Sequence, residues 1–419
     1  YLTATGRNDW ESQLAFSEAS SFFYPSVGLS GIISSMVKLP DWLSYLKVRG
    51  SYTEVGTSFE RFITRPTYEF NIASGKWSST SIYPVRNLKP EKTRSWEVGV
   101  NSKWLNNHLS FDVTYYRSST INQTFTADLS ISSGYSKAYI QSGNVRNEGM
   151  EIALGYNNQW RGFSWDSNLT FSWNKNKIVK LTEGSVNPMT GEPITKDNYD
   201  MGQLGNLDAR VKLYKGGSIG DVYATHLIKR DGNNNVYVSK EGKIEIESVD
   251  EFKLGSILPK SNMGWSNNFS YKGVNLGVTL TARFGGIALS GTQSVLDQYG
   301  VSKVTADYRD AGGIMINHGY VDTEKYFDTV KGYAAYYTYS ATNVRLAELN
   351  LSYTLPQKWF QDKLRMTVGL VGKNLWMIYC KAPFDPEATA STQSNYYQSY
   401  DYFMQPTTRN IGFSVKLNF

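Results

Sequence analysis

The chain has 419 residues, a net charge of +6 and a charged fraction of only 19%, against about 25% in ordinary globular chains. Its mean hydropathy is still negative, −0.41, because Tyr, Trp, Asn, Ser and Thr stand where charge would be. No run of about 18 apolar residues occurs, which excludes a helical membrane protein; one cysteine, Cys380, excludes a disulfide framework or a multi-cysteine metal site; and no Lys/Arg block points to nucleic acid.

Period-two hydrophobicity predicts strands near 1–6 (partial), 21–36, 44–56, 93–105, 108–118, 147–159, 162–177, 262–271, 273–285, 343–355, 363–376 and 406–419. The clearest sets Phe163, Trp165, Leu169, Phe171 and Trp173 against Ser164, Asp166, Asn168, Thr170 and Ser172. Trp96, Val98 and Val100 alternate with Glu97, Gly99 and Asn101 in the same way. A helix would space its apolar residues by three and four, so the chain reads as β throughout.

Connections alternate strictly between short (Val37–Leu43, Leu105–Asn107, Trp160–Arg161, Lys272, Pro356–Asp362) and long (Thr57–Lys92, Ser119–Arg146, Ile178–Ser261, Gly286–Thr342, Met377–Gln405). A soluble sandwich has no reason to place every long loop at one end. A transmembrane barrel does, with short periplasmic turns and long extracellular loops. Trp104, Trp160, Tyr271, Trp359 and Phe360 flank the short turns, where a periplasmic aromatic girdle belongs. The predicted fold class is therefore an all-β, antiparallel transmembrane β-barrel of the outer membrane, with the C-terminus periplasmic. About twelve of its strands lie in this chain, and loops this long suit a larger, plugged barrel.

The search for reactive chemistry yields no catalytic, metal or cofactor motif. His108, His226 and His318 fall in separate connections, without a second ligand at metal spacing. Asp231-Gly232-Asn233-Asn234-Asn235 begins like a calcium loop but has Val236 where glycine belongs and Gly242 where glutamate belongs. It reads as a turn between Val222–Lys229 and Val236–Lys240, an internal hairpin in the long extracellular loop 178–261. Two connection segments are unusually aromatic: Tyr333–Tyr339, with Tyr333, Tyr336, Tyr337 and Tyr339, and Tyr396–Phe403, with Tyr396, Tyr397, Tyr400 and Tyr402. They read either as loop packing or as contacts to a ligand or partner, since aromatic faces stack on sugars and proteins alike.

Several segments resemble the SusC-like family of TonB-dependent outer-membrane transporters from Bacteroidetes. They are Asn87–Val100 (NLKPEKTRSWEVGV), Arg283–Gln293, Tyr299–Gly313, Tyr339–Pro356, Gly372–Trp376 (GKNLW), Phe384–Glu387 (FDPE) and Thr408–Phe419, in the family's order. The resemblance is to the C-terminal part of the barrel, residues 1–419. It implies a barrel of about 22 strands, with a plug domain, a TonB-contacting box and the first strands contributed from outside this stretch. Those parts belong either to a longer chain or to a split partner. The implied function is TonB-driven import of oligosaccharides with a SusD-like surface lipoprotein; some members import peptides instead. Expected partners are that lipoprotein, the TonB complex, outer-membrane lipid and an oligosaccharide or peptide ligand. Strand polarity makes Glu97, Asn101, Asp112, Thr114, Glu151, Asp166 and Asn168 lumen-facing candidates. A passive porin or adhesin is the competing class. An outer-membrane enzyme is disfavoured, because only His226 and His318 lie in the loops where a catalytic base would be needed.

Overall fold

A computed structural model describes every residue except 18–19, 60–62, 66, 80, 86–87, 130–133, 195–196 and 389–397. The alternating segments form twelve long strands among the described residues: β1 (Leu2–Trp10), β2 (Ser21–Ile32), β3 (Leu43–Thr57), β4 (Glu91–Trp104), β5 (Leu109–Asp128), β6 (Lys137–Trp160), β7 (Phe163–Lys180), β8 (Ser261–Tyr271), β9 (Val274–Phe284), β10 (Asn343–Thr354), β11 (Arg365–Cys380) and β12 (Asn410–Asn418). Each expected strand is present, and the ladders from β1–β2 to β5–β6 and from β8–β9 to β11–β12 are antiparallel.

Two compact units divide the chain. The first is Tyr1–Tyr156, Ser172–Tyr199 and Leu213–Ile219; the second is Asn157–Phe171, Asp200–Lys212 and Gly220–Phe419. In the first, the sheet runs β1-β2-β3-β4-β5-β6 and on to the later half of β7. In the second, the earlier half of β7 is followed by β8-β9-β10-β11-β12.

Lipid-type alternation is visible within each unit. In the first, Val98 and Val100 are exposed while Gly99 between them is buried. In the second, Phe413 is 82% exposed and its neighbours across the ladder, Leu370 and Leu351, are exposed too. Large apolar residues left bare at every second position suit hydrocarbon, not water. The turns Leu105–His108, Arg161–Gly162 and Lys272–Gly273 are tight, whereas the connections Ile33–Trp42 and Leu355–Leu364 are longer than expected and each holds a short 3-10 turn. Between β8 and β9, Lys272 and Gly273 both take positive φ, 45° and 86°, the two-residue turn whose twist matches the strands.

Three further expectations are corrected. The stretch Ser119–Arg146 is mostly hairpin: β5 and β6 stay paired from Leu109↔Tyr156 out to Asp128↔Lys137. The register slips at Asn122, which has φ 60°. The turn at Asp231–Asn235 exists, with Asn234 N donating to Asp231 O at 2.9 Å. Its pairing closes only at Arg230↔Val236, however, and the strand Asp221–Ile228 takes Ile246–Ser256 as its partner. Finally, the chain is not β throughout. The connection after β9 contains α1 (Gly291–Gln298), α2 (Lys303–Asp310) and α3 (Thr323–Val330). Side chains of Ser290, Ser302 and Asp322 cap them by accepting from the backbone N–H three residues on.

The long connections fold around cores of their own. In the second unit Leu204, Leu207, Val222, Leu289, Val330 and Tyr337 share one buried cluster. In the first, Ile140, Ile178, Leu181 and Leu213 form a second cluster, and Leu14, Phe22, Leu88 and Ala138 a third.

Candidate functional site

The polar face of β3, β4 and β5 carries a built network. Arg49 on β3 reaches over β4 to form a fork with Asp112 on β5, at 2.7 and 3.2 Å, and donates to Thr114 Oγ1 at 2.5 Å. Asn101 Nδ2 on β4 donates to the same carboxylate at 2.9 Å. The reach depends on Gly99, because a Cβ there would stand 2.7 Å from Arg49 Nε. Both charged side chains are about one-third exposed, so the pair contributes about 1 kcal/mol or less. Its larger effect is to hold an ordered polar surface across three strands.

The strands carry the remaining inward candidates separately. Glu97 lies on β4, Glu151 on β6, and Asp166 and Asn168 on β7, each exposed on the polar side of its strand. Of the expected set, Asn101, Asp112 and Thr114 are brought together. Arg49, which organises them, was not among the expected residues. Its signal was an odd-numbered position between Lys47 and Ser51, on the side of β3 opposite Val48 and Tyr52.

In the second unit, the start of β10 clamps the FDPE segment. Arg345 donates to both oxygens of Asp385 (2.8 and 3.0 Å) and pairs with Glu387 at 3.0 Å; Asn343 Nδ2 donates to Glu387 at 3.3 Å. Burial pushes the Asp385 carboxyl upward, but the Arg345 hydrogen bonds and the Glu387 backbone N–H outweigh it and hold it below the usual range.

The aromatic segments divide. Tyr337 and Tyr400 are each 2% exposed, so these two pack the loop interior and present no face to a solute. Tyr400 donates to Asn206 Oδ1 at 2.5 Å and accepts from Asn206 N at 3.0 Å. Tyr336 accepts from Ile228 N at 3.2 Å. Tyr339 meets the Phe384 edge at 5.7 Å, and burial pushes its phenol up to about 12. Tyr333 lies against His226, whose Nδ1 is 2.9 Å from Asp208 Oδ2. Tyr402, 47% exposed, faces solvent. Tyr396 and Tyr397 lie outside the described residues.

Exposed aromatics occur where none was expected. A hairpin of Tyr68–Asn71 against Lys76–Ser79 presents Tyr68, Phe70 and Trp77, the last 69% exposed, with the Phe70 and Trp77 rings 5.1 Å apart. The alternation Tyr68, Phe70, Ile72 ahead of Ser74-Gly75 was its signal. In the same unit, a cavity of about 370 Å³ is lined by Lys89, Asn122, Tyr139, Gln141, Ser185 and Pro188. Val85, Leu88, Ile140 and Val186 complete a mixed lining beside these polar groups and the Tyr139 ring.

A family model described as TonB dependent receptor-like, beta-barrel, matches residues 1–243. TonB-dependent receptor P3 of Formosa agariphila is 26% identical over 80% of this chain and 34% of its own length. TonB-dependent receptor SusC of Bacteroides thetaiotaomicron is 22% identical over 93% of this chain and 40% of its own. Among solved structures, the RagAB peptide importer in its open-open state superposes with a TM-score of 0.77 at 19% identity, covering 100% of this chain and 45% of that one. The chain thus spans less than half the length of these relatives.

Proposed function

The chain belongs to the TonB dependent receptor-like β-barrel family of the outer membrane, and from that premise we propose that it forms the C-terminal part of the barrel of an oligosaccharide importer. In this reading a SusD-like surface lipoprotein caps the extracellular end, and the TonB complex supplies energy through the part of the protein that lies outside this stretch. The observation that carries it is the Arg49–Asn101–Asp112–Thr114 network on the face opposite the bare apolar one. A wall that is apolar outward and ordered, polar and hydrogen-bonding inward lines a wet path.

Sugar as cargo is supported by the exposed pair Phe70 and Trp77 and by Tyr402, since flat aromatic faces stack on sugar rings. Oligopeptide import is the second reading. The exposed inward carboxylates Glu97, Glu151 and Asp166 favour it, as groups that would meet the basic side chains of a peptide. The fold likeness to RagAB concerns architecture and leaves the cargo open.

The test is to isolate the full-length protein with its lipoprotein from its native membrane and identify the retained solute by mass spectrometry. Glycans are the expected result; retained peptides would overturn the cargo assignment. Uptake that persists unchanged without TonB would overturn the importer reading and favour a passive porin.

A further inference from the structure

Among the described residues, the outward strand positions of the first unit carry charge at one level only. Tyr52 on β3, Trp96 on β4 and Tyr115 on β5 are exposed and neighbouring, with the Trp96 and Tyr115 rings 5.5 Å apart. They stand on the loop side of Val48, Val98, Val100 and Val113, as an outer aromatic girdle should. Basic residues follow at the next outward positions: Lys92 and Arg94 above Trp96, Arg117 above Tyr115, Arg146 across from Ser119, and Lys175 and Lys177 above Trp173. The orientation of the last two is set by their neighbours. Asn174 and Asn176 both donate to Asn147, and Asn174 accepts from Tyr116, which turns the intervening lysine the other way.

Two acids share this level. Glu54 takes Lys92 at 2.8 Å and Arg94 at 3.0 Å, and Glu148 lies 4.0 Å from Arg146. Six basic groups against two acidic ones leave a net +4 on the outward rim. Lys175 and Lys177 are exposed, with no acidic partner among the described residues. In the second unit, no Lys or Arg occupies an outward position of β8, β9 or β10. At about 2.5 Å of climb per residue in a tilted strand, the basic groups start about 5–10 Å above the girdle rings, the depth of lipid headgroups.

We propose that this rim binds the phosphates of the glycolipid headgroups in the outer leaflet. Water alone gives no reason to gather six cations just above a lipid-facing girdle, whereas a layer of phosphate monoesters does. The fork of Arg94 and the freely turning ammonium groups of Lys175 and Lys177 suit phosphate oxygens. The inference rests on the outer-membrane location and is independent of what is imported.

The test uses the full-length transporter, purified, embedded in phosphatidylcholine nanodiscs and exposed to diphosphoryl lipid A or to its dephosphorylated form, with bound lipid counted by native mass spectrometry. Two variants are compared with wild type: Lys175→Gln with Lys177→Gln, and the same pair with Arg94→Gln. The pair removes only exposed side chains, and heat-modifiable migration on gels verifies folding of both. Wild type should retain diphosphoryl lipid A about tenfold better than the triple variant, with the pair intermediate and the difference shrinking in high salt. Equal retention by wild type and the folded pair, or equal retention of the dephosphorylated lipid by wild type, would overturn the proposal.

Discussion

Lysine placed along β9 tests which side of the sheet meets hydrocarbon, and how deep. The β8–β9 hairpin closes at Lys272 and Gly273, with Tyr271 and Val274 beside the turn at the periplasmic interface. With the strand tilted about 40°, each residue climbs about 2.5 Å, which puts Leu276 about 5 Å, Val278 about 10 Å and Leu280 about 15 Å above Val274. In an apolar band about 25 Å tall, Val278 and Leu280 bracket the midplane. Val278→Lys should therefore cost about 2–4 kcal/mol, and Leu276→Lys about 1–2 kcal/mol because it is close enough to snorkel. Thr279→Lys is the control. Thr279 lies one residue along the strand, faces the polar side and pairs with Glu348 across the ladder, so a lysine there should change stability by about 1 kcal/mol or less. Urea unfolding of the full-length transporter from phospholipid vesicles, followed by tryptophan fluorescence, measures all three. Equal costs at positions 278 and 279 would refute the assignment of faces. A Leu276 cost above that of Val278 would refute the depths.

Three further outcomes follow from the loop cores. Asp297, buried in the last turn of α1, has its carboxyl pushed upward by burial, against a hydrogen bond from Gln293 Nε2 at 2.7 Å. A carboxyl whose folded pKa is raised stabilises below its ordinary value of 3.8 and loses that contribution as pH rises. Asp297→Asn should therefore slow hydrogen exchange of the α1 amides at neutral pH, with the gain over wild type fading as pH falls toward 3.8; no gain at neutral pH counts against the buried charge. Tyr400→Phe strips both hydrogen bonds from Asn206 and should destabilise the loop core by about 1–3 kcal/mol by the same exchange measurement; an unchanged rate means that Asn206 finds water. Cys380 was expected in a long loop, but it ends β11, half-buried, with Sγ 3.5 Å from Ala382 O. It should label with an impermeant maleimide on intact cells far more slowly than an Asn233→Cys variant; equal rates would place it in solvent.

The strands were legible because a bilayer enforces period two. A residue on the wrong side of β4 or β9 costs kilocalories, so sequences such as Trp96-Glu-Val-Gly-Val100 alternate without exception. That pressure ends at the headgroups. Above them β5 and β6 have water on both faces, and Ser118, Ser119, Thr120, Asn122 and Gln123 carry no period, although the ladder continues. Arg49 was missed for a different reason. Its partner is two strands and 63 residues away, and the match depends on a register in which Gly99 stands between them. The helices α1, α2 and α3 are eight residues each, about two turns, too short for a 3.6-residue period to show. The capping side chains Ser290, Ser302 and Asp322 were the local signal for them, and it was missed.

The aromatic loops show why composition misleads above the membrane. Tyr337, Tyr400 and Tyr402 look alike in sequence, yet two are core and one is surface. The difference is made by Asn206, 194 residues from Tyr400, and by a cluster that draws its members from Leu204 to Tyr400. No local window contains that information. A loop of some eighty residues, Ile178–Ser261, must bury apolar surface to pay for its own ordering. Much of its hydrophobic content therefore reports self-packing rather than affinity. Ligand contact falls to what packing leaves over, and in the described loops the rings at Tyr68, Phe70, Trp77 and Tyr402 are such a remainder.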